Sequence, residues 1–368
     1  MIKVGITGQV GFVGTHLYNI LGLFPEQYTR ISFEDEYYQS EKKLNNFVRE
    51  CDVIVHLAAM NRHENPQVIY DVNVQLVEKL IFAMEKMAAT PHVLFSSSTQ
   101  ETLDNLYGQS KLKGRQLLEQ WAKRSNANFT GLVVPNVFGE FSQPNYNTFV
   151  ATFAHKMVQG EQPTVVADNN VRLIYVGSLC RFVISQFNNK GINRVDVPYD
   201  FERKVTSILQ LFKSFKSLYF EEGIIPHLND LNEVNLFNTF RSYIPPRSVE
   251  LVQHADARGI FVETIKLGVG GQVSFSTTVS GITRGNHYHT RKIERFTVIK
   301  GKALIQLRKI NTTEVLNFEL DGKNPAYVDM PVWYTHNIKN IGGEELYTQF
   351  WINEWYNPND GDTYFEEV

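Results

Sequence analysis

The stretch Thr7-Gly8-Gln9-Val10-Gly11-Phe12-Val13-Gly14 constrains the fold more than any other part of the chain. It follows an apolar run, Ile2 to Thr7, that reads as a strand, and it enters a helical pattern, Phe12 to Leu21. Glycines at this spacing allow a tight turn, let backbone amides approach a pyrophosphate at the helix N-terminus, and let helix pack closely on strand. The strand–glycine–helix order predicts the first unit of a doubly wound parallel sheet. The text beyond repeats the alternation. Thr29 to Phe33, Asp52 to Ala59, His92 to Ser98 and Phe129 to Val134 read as strands. Gln67 to Met87, Tyr107 to Lys123, Asn147 to Gln159 and Val205 to Phe220 read as helices, with a less regular substrate lobe between the last two. Alternation of this kind means a parallel sheet with helices on both faces.

The texture changes at Tyr243-Ile244-Pro245-Pro246, where the prolines favour a linker. From Val249 onward helical periodicity disappears. Short strands recur at Gly259 to Lys266, Gln272 to Thr278, Arg295 to Ile299, Ala303 to Lys309, Glu314 to Leu320, Ala326 to Met330 and Glu345 to Asn353. Many short strands separated by Gly, Asn and Asp turns predict an all-β sandwich or barrel. The chain is therefore read as an α/β domain over 1–243 followed by a β domain over 247–368. A length of 368 residues suits two domains better than one.

Each domain carries a constellation with its own chemistry. In the second, His287 and His289 stand at i and i+2, so on a strand they share a face. Glu294 can reach that face from the next turn or strand and His336 from a distant one. Imidazole and carboxylate together suit Zn, Fe, Mn or Ni rather than Ca or Mg. Zinc is the first expectation, as one divalent ion with either a catalytic or a structural role. In the first domain, Tyr107-Gly108-Gln109-Ser110-Lys111 puts a phenol and an ammonium one helical turn apart on one face. A nearby ammonium favours phenolate and lowers the phenol's pKa, and such a pair can pass a proton to or from a carbinol oxygen. Ser96-Ser97-Ser98 ends the strand just upstream, where a hydroxyl could hold the same oxygen; Ser98 is the first candidate and Ser97 its competitor.

These features resemble two families. Thr7-Gly8-x-x-Gly11-Phe12-x-Gly14, His56-Leu57-Ala58-Ala59, Ser96 to Ser98, the Tyr107–Lys111 pair and Pro135-Asn136-Val137-Phe138-Gly139 resemble the extended short-chain dehydrogenase/reductases, over about the first 240 residues. That resemblance implies a Rossmann-like fold, cofactor contacts at Gly8, Gly11, Phe12, Val13, Gly14, Leu57, Ala58 and Ala59, and roles for Tyr107 as proton donor, Lys111 as its partner and Ser98 as orienting hydroxyl. Tyr175-Val176-Gly177-Ser178 departs from it, since many members have acidic residues after the Val. Gly281, His287, His289, Glu294 and Gly301, with Pro331-x-Trp333-x-x-His336-x-x-x-Asn340, resemble the two cupin motifs, with Trp333 where that family usually has Gly.

Asp256-Ala257-Arg258-Gly259-Ile260-Phe261-Val262-Glu263 and Ile282 to His287 are similar to signatures of nucleotide-4-ketosugar 3,5-epimerases. Over its whole length the chain resembles a family of bifunctional capsular polysaccharide enzymes that fuse such a reductase to a metal cupin. Asp362-Thr363-Tyr364-Phe365 near the end agrees with it. The resemblance implies a UDP-activated 4-ketosugar substrate, epimerised at C3 by the cupin and reduced at C4 by the first domain to UDP-N-acetyl-6-deoxy-L-talosamine. It also implies NADPH. Glu34, about 20 residues past Gly14, instead favours a ribose 2′-hydroxyl and hence NADH, so both cofactors stay open.

Two other readings stand beside this one. The first is a non-catalytic sugar-binding or scaffolding protein; the second is a reductase fused to a metal-dependent dioxygenase. A net charge of −3 gives no basic face for nucleic acid. No apolar run approaches a membrane span. Two cysteines, Cys51 and Cys180, both in apolar runs, are expected as buried thiols of a cytoplasmic protein. Open strand edges of a β domain commonly pair between copies, which predicts a homodimer.

Overall fold

A computed structural model describes residues 1–257 and 259–368; Arg258, part of the epimerase-like signature, lies outside the described residues. Contact density divides the chain into two compact units, Met1–Phe153 with Thr164–Ile208, and Ala154–Pro163 with Leu209–Val368.

The first unit is built on a parallel sheet of β1 (Ile2–Thr7), β2 (Tyr28–Ile31), β3 (Val53–His56), β4 (His92–Ser98), β5 (Phe129–Val134) and, further along the chain, β8 (Ile192–Asp196), in the order β2-β1-β3-β4-β5-β8. A small three-stranded sheet joins β6 (Asn136–Phe138), β7 (Asn170–Tyr175) and β9 (Phe201–Lys204). The helices of this part of the chain are α1 (Phe12–Gly22), α2 (Glu41–Glu50), α3 (Pro66–Lys86), α4 (Leu106–Ser125), α5 (Phe149–Val158), α6 (Val176–Ser185) and α7 (Val205–Phe215). The sheet grows in opposite directions from β1 and β3, and the loop after β1 sits at that reversal, where open α/β sheets bind ligands.

Local chemistry explains the helix starts. Asn65 caps α3 by accepting from the Gln67 amide, with Pro66 at the first helical position, and Asn105 caps α4 by accepting from the Gly108 amide at 2.8 Å. Asn126 ends α4 in the left-handed region at φ 51°. The helix α2 was absent from the sequence reading. It buries only Leu44, Phe47 and Val48, a narrow stripe in an otherwise charged segment, and the Ser40 hydroxyl caps it.

The second unit contains α8 (Leu231–Arg241) and the β domain. One five-stranded antiparallel sheet orders β10 (Ser248–Glu250), β18 (Ala326–Met330), β15 (Glu294–Lys300), β20 (Leu346–Ile352) and β13 (Gln272–Thr278). The other orders β17 (Val315–Asp321), β16 (Lys302–Lys309), β19 (Tyr334–Asn340), β14 (Thr283–Tyr288) and β21 (Tyr364–Phe365). A hairpin of β11 (Gln253–Asp256) and β12 (Gly259–Val262) stands apart from both. Every named ladder here is antiparallel, and among the described residues no ladder joins the two sheets into a closed barrel. Their inner faces share a core that includes Phe296, Val298, Ile305, Leu307, Val328, Ile338 and Leu346.

The division falls near 208, not at the proline linker of 243–247. The reason is a buried polar network within the second unit. Arg295 pairs with Asp329 through two bonds of 2.7 and 3.0 Å, the Tyr219 hydroxyl donates to Asp329 at 2.7 Å, and Arg241 donates to Tyr219 and to the Met330 carbonyl. Such charges stay buried only when every donor finds an acceptor, so the segment carrying Tyr219 and Arg241 is tied to the β domain.

Candidate active site and metal centre

In the first unit the glycine loop has the geometry expected of it. Gly8 lies at φ +71°, and a Cβ there would meet the Ala58 backbone at 2.9 Å. A Cβ on Gly14 would fall 2.2 Å from the Gly8 carbonyl oxygen, so helix and loop pack backbone to backbone. Gly11 is the N-cap of α1 and donates to the Gly8 carbonyl at 3.0 Å, which turns the first helical amides, at Phe12 and Val13, toward the loop mouth. Leu57, Ala58 and Ala59 run alongside: the Leu57 amide donates to the Thr7 carbonyl at 3.1 Å and the Ala58 amide to the Thr7 hydroxyl at 3.4 Å. Glu34 follows β2, exposed, with Lys43 Nζ 3.8 Å from its carboxylate. Gln9 of the loop reaches this segment through the Phe33 amide.

Tyr107 and Lys111 lie on the first turns of α4, with the Lys111 Nζ 5.8 Å from the Tyr107 ring centre. Lys111 is buried and donates to the Ser96 carbonyl at 2.9 Å, which binds α4 to the end of β4. Burial pushes the Lys111 ammonium down to about 8. Burial, with a smaller contribution from Tyr146, pushes the Tyr107 phenol up to about 12. The expected lowering of the phenol by its lysine is therefore not seen: desolvation outweighs it, and Tyr107 is held protonated. The serine run divides in two. Ser97 is buried and donates to Glu101 at 2.5 Å, and Glu101 is in turn gripped by Arg115 and Arg194. Ser98 is half-buried on the other side of the strand and caps the turn that follows, accepting from the Gln100 amide at 3.1 Å.

Both sheets of the β domain contribute to the second constellation. His287 is on β14 directly opposite His336 on β19, His289 follows the end of β14, and Glu294 opens β15. A bulge at Gly285 and Asn286 sets this register. Gly285 has φ +102°, and a Cβ there would meet the His336 carbonyl at 2.8 Å; Asn286 has φ +58°. One potential ligand atom from each of His287, His289, Glu294 and His336 falls within 4.8 Å of all the others.

The fit to a metal ion can be judged from the atoms themselves. His289 Nδ1 donates to the Asp362 carbonyl at 2.5 Å and His336 Nδ1 to the Tyr334 carbonyl at 3.2 Å, which turns each Nε2 toward the centre. Those Nε2 atoms lie 3.0 and 3.3 Å from Glu294 Oε2, yet all three buried atoms lack a well-formed hydrogen bond. Three such atoms set close together could share a cation. Burial and the neighbouring imidazoles push His287 down to about 4, keeping it neutral. Burial would raise Glu294, but the facing His289 and His336 override it and hold the carboxylate well below its usual range. Burial lowers His289, but the facing Glu294 overrides it and raises it, so an ion bound there would displace that proton; imidazole and ionised carboxylate together suit a borderline divalent ion.

Trp333, where the cupin motif usually has Gly, adopts φ +62°, a conformation that favours glycine, and stacks on Tyr288 with ring centres 5.9 Å apart. The sequence reading assigned no role to Asp362 or Glu101. Asp362 stood in a run noted only for its resemblance. Glu101 is one of many acidic residues, and only the fold shows that it is buried behind Ser97. Cys51 and Cys180 are free and buried, as expected. No helix among the described residues is long and apolar enough to cross a membrane.

Comparison with known proteins matches the two ends of the chain to different families. Residues 4–192 match the NAD dependent epimerase/dehydratase family, and residues 254–364 match the polysaccharide biosynthesis C-terminal domain. A UDP-2-acetamido-2,6-beta-L-arabino-hexul-4-ose reductase of Pseudomonas aeruginosa is 31% identical over 99% of this chain and 98% of its own. The crystal structure of the capsular polysaccharide assembling protein CapF from Staphylococcus aureus is 34% identical, covers 100% of both chains and has a TM-score of 0.62. RMD from Pseudomonas aeruginosa, solved with NADPH, shares 18% identity over 59% of this chain and 83% of its own, with a TM-score of 0.53, and supports the fold alone. The chain thus belongs to the NAD dependent epimerase/dehydratase family and, along its whole length, to the family of CapF and the arabino-hexul-4-ose reductase.

Proposed function

We propose that this chain is a bifunctional UDP-sugar enzyme of polysaccharide biosynthesis. In this reading the β domain, a cupin, epimerises C3 of a UDP-2-acetamido-2,6-dideoxy-4-ketohexose. The first unit then reduces the C4 ketone to give UDP-N-acetyl-6-deoxy-L-talosamine. The observation that carries it is the presence, in one chain, of a glycine loop with a protonated Tyr107 and of a close-set group of three imidazoles and a carboxylate, two of them buried and two half-buried.

In the first unit the amides of Phe12 and Val13 and the glycine edges would hold the cofactor pyrophosphate, and Leu57 to Ala59 would line its path. Reduced nicotinamide, when bound, supplies the hydride for C4. Tyr107 gives its hydroxyl proton to the oxygen that becomes the alcohol, and burial has kept that proton in place. Lys111, cationic below about pH 8, stabilises the phenolate that Tyr107 leaves behind. Ser98 orients the ketone oxygen, while Ser97 stays engaged with Glu101. The cofactor is NADPH, with NADH usable through Glu34, whose exposed carboxylate stands 3.8 Å from Lys43 Nζ.

In the second unit His287, His289, Glu294 and His336 would hold one divalent ion, zinc first. The ion, when bound, supplies positive charge that can polarise a ketone. A C4 ketone acidifies the C3 proton, so C3 inversion has to precede reduction, which removes the ketone. The protein is proposed as a cytoplasmic homodimer.

The test is an assay of cofactor oxidation with the UDP-4-ketosugar, run with each reduced cofactor, together with metal analysis and light scattering. Oxidation of NADPH, about one zinc per chain and a dimer mass are expected. A preference for NADH of about a hundredfold would show that Glu34 decides. Substrate-dependent oxygen consumption, or no turnover with either cofactor, would overturn the reading.

A further inference from the structure

The end of the chain is part of the ligand cluster. Asp362 is 5% exposed and has φ +40°, a conformation that costs a non-glycine residue unless its surroundings hold it. Its carboxylate accepts from the Thr290 amide at 3.1 and 3.2 Å, from the Arg291 and Lys292 amides at 3.0 Å each, and from the Thr290 hydroxyl at 2.6 Å. Its backbone carbonyl accepts from His289 Nδ1 at 2.5 Å. The residues it fastens are those between His289 and Glu294, two of the four converging side chains. One residue thus fixes the ring of one ligand and the spacing to the next. The segment around it is anchored on both sides. Lys292 Nζ donates to the Gly361 carbonyl at 2.6 Å, β21 pairs with β14 at His287 and Tyr288, and the Glu366 amide donates to the Asn286 carbonyl at 3.0 Å.

We propose that Asp362 is a positioning residue of the metal site, and that the tail from Asp360 onward and the bound ion stabilise each other. The inference rests on the metal reading above. An imidazole whose far nitrogen is held by a fixed acceptor keeps its tautomer and aim, and loss of such an outer partner weakens metal binding about 10–100-fold. Linkage makes the effect reciprocal: if the docked tail raises metal affinity, the metal must raise tail docking by the same factor. Asp360, two residues away, supplies the control. It meets Arg291 at an exposed ion pair and touches no ligand.

The experiment is a competition titration of the metal-free full chain with Zn2+ against a chromophoric chelator, for wild type, Asp362→Ala, Asp362→Asn and Asp360→Asn. Amide exchange is followed at 290–293 and 359–368, with and without Zn2+. Asp362→Ala should bind Zn2+ about 10–100-fold more weakly, with reduced-cofactor affinity in the first unit unchanged. Asp360→Asn should bind within twofold of wild type. In wild type both segments should exchange more slowly with Zn2+, and in Asp362→Ala they should not. If Asp362→Ala does not fold, Asp362→Asn, which keeps the size and one side-chain acceptor oxygen, carries the test with a smaller loss. A folded Asp362 variant that binds Zn2+ within twofold of wild type, or tail exchange indifferent to Zn2+ in wild type, overturns the proposal. Wild type that binds no Zn2+ overturns the metal reading, and the proposal with it.

Discussion

Lys111 is a buried ionisable group and Glu294 a half-buried one whose Oε2 is shut from water, and the two units treat them in opposite ways. The first unit gives Lys111 one neutral partner, the Ser96 carbonyl, and burial pulls the ammonium down to about 8. The second surrounds Glu294 with imidazoles, which overcome burial and keep it ionised. A group poised near neutrality can move or steady a proton, whereas a group locked in one charge state can hold a cation. The supporting structure differs too. The first site draws on a loop, a strand end and the start of one helix, each readable locally. The second gathers its residues from β14, the turn after it, β15 and β19, in two sheets, and is backed by Asp362 near the tail.

Changes confined to one site should leave the other working, and the largest effect is expected at the ligands. Glu294→Ala removes the only carboxylate in the set, so metal affinity should fall by more than about 100-fold and deuterium exchange at C3 should vanish. Cofactor binding should survive; metal content, C3 exchange and cofactor titration check the three outcomes. A folded, metal-free variant that still exchanges C3 would give the ion a structural role only. Tyr107→Phe attacks the other side. Loss of a general acid costs about 10²–10⁴ in rate, so substrate-dependent cofactor oxidation should fall by that factor while C3 exchange stays normal. Oxidation at the wild-type rate would remove Tyr107 from the proton-donor role.

Gly14→Ala sharpens the comparison through packing. The added methyl would sit 2.2 Å from the Gly8 carbonyl oxygen, and backbone cannot swing aside as a flexible side chain does. Overpacking of this kind costs about 1–3 kcal/mol, and cofactor affinity should drop about tenfold or more with zinc content unchanged. The smallest effect is a pH dependence. The Lys111 ammonium loses its proton as pH rises through about 8, so kcat/KM for reduction should fall on the alkaline side with a midpoint near 8. A profile flat to pH 10 would show that the charge of Lys111 does not matter.

Sequence legibility follows the same divide. The glycine loop, the Tyr107–Lys111 turn and β1, β4 and β5 could be read because each is a local pattern with a local cause. The helices α2 and α8 could not. The first buries three residues among charges, and the second is held by tertiary partners: its Asn238 donates to the Arg291 carbonyl and its Arg241 to the Met330 carbonyl. Those same bonds explain why the proline linker at 243–247 does not mark the break between compact units. At the His/Glu cluster the four candidate residues could be picked out by their spacing, but β14 and β19, which bring His287 opposite His336, were missing from the strand pattern. Asp362 was beyond reach, because its partners lie about 70 residues away in sequence.

The central claim is that one chain inverts C3 at one site and reduces C4 at another. The most direct test is the product formed by the wild-type protein from the UDP-4-ketosugar and unlabelled NADPH in D2O, examined by mass spectrometry and proton NMR. The predicted product is a reduced sugar of inverted C3 configuration, with deuterium at C3 from solvent and protium at C4 from the cofactor. A reduced product that keeps its original C3 configuration and its C3 proton would contradict the account.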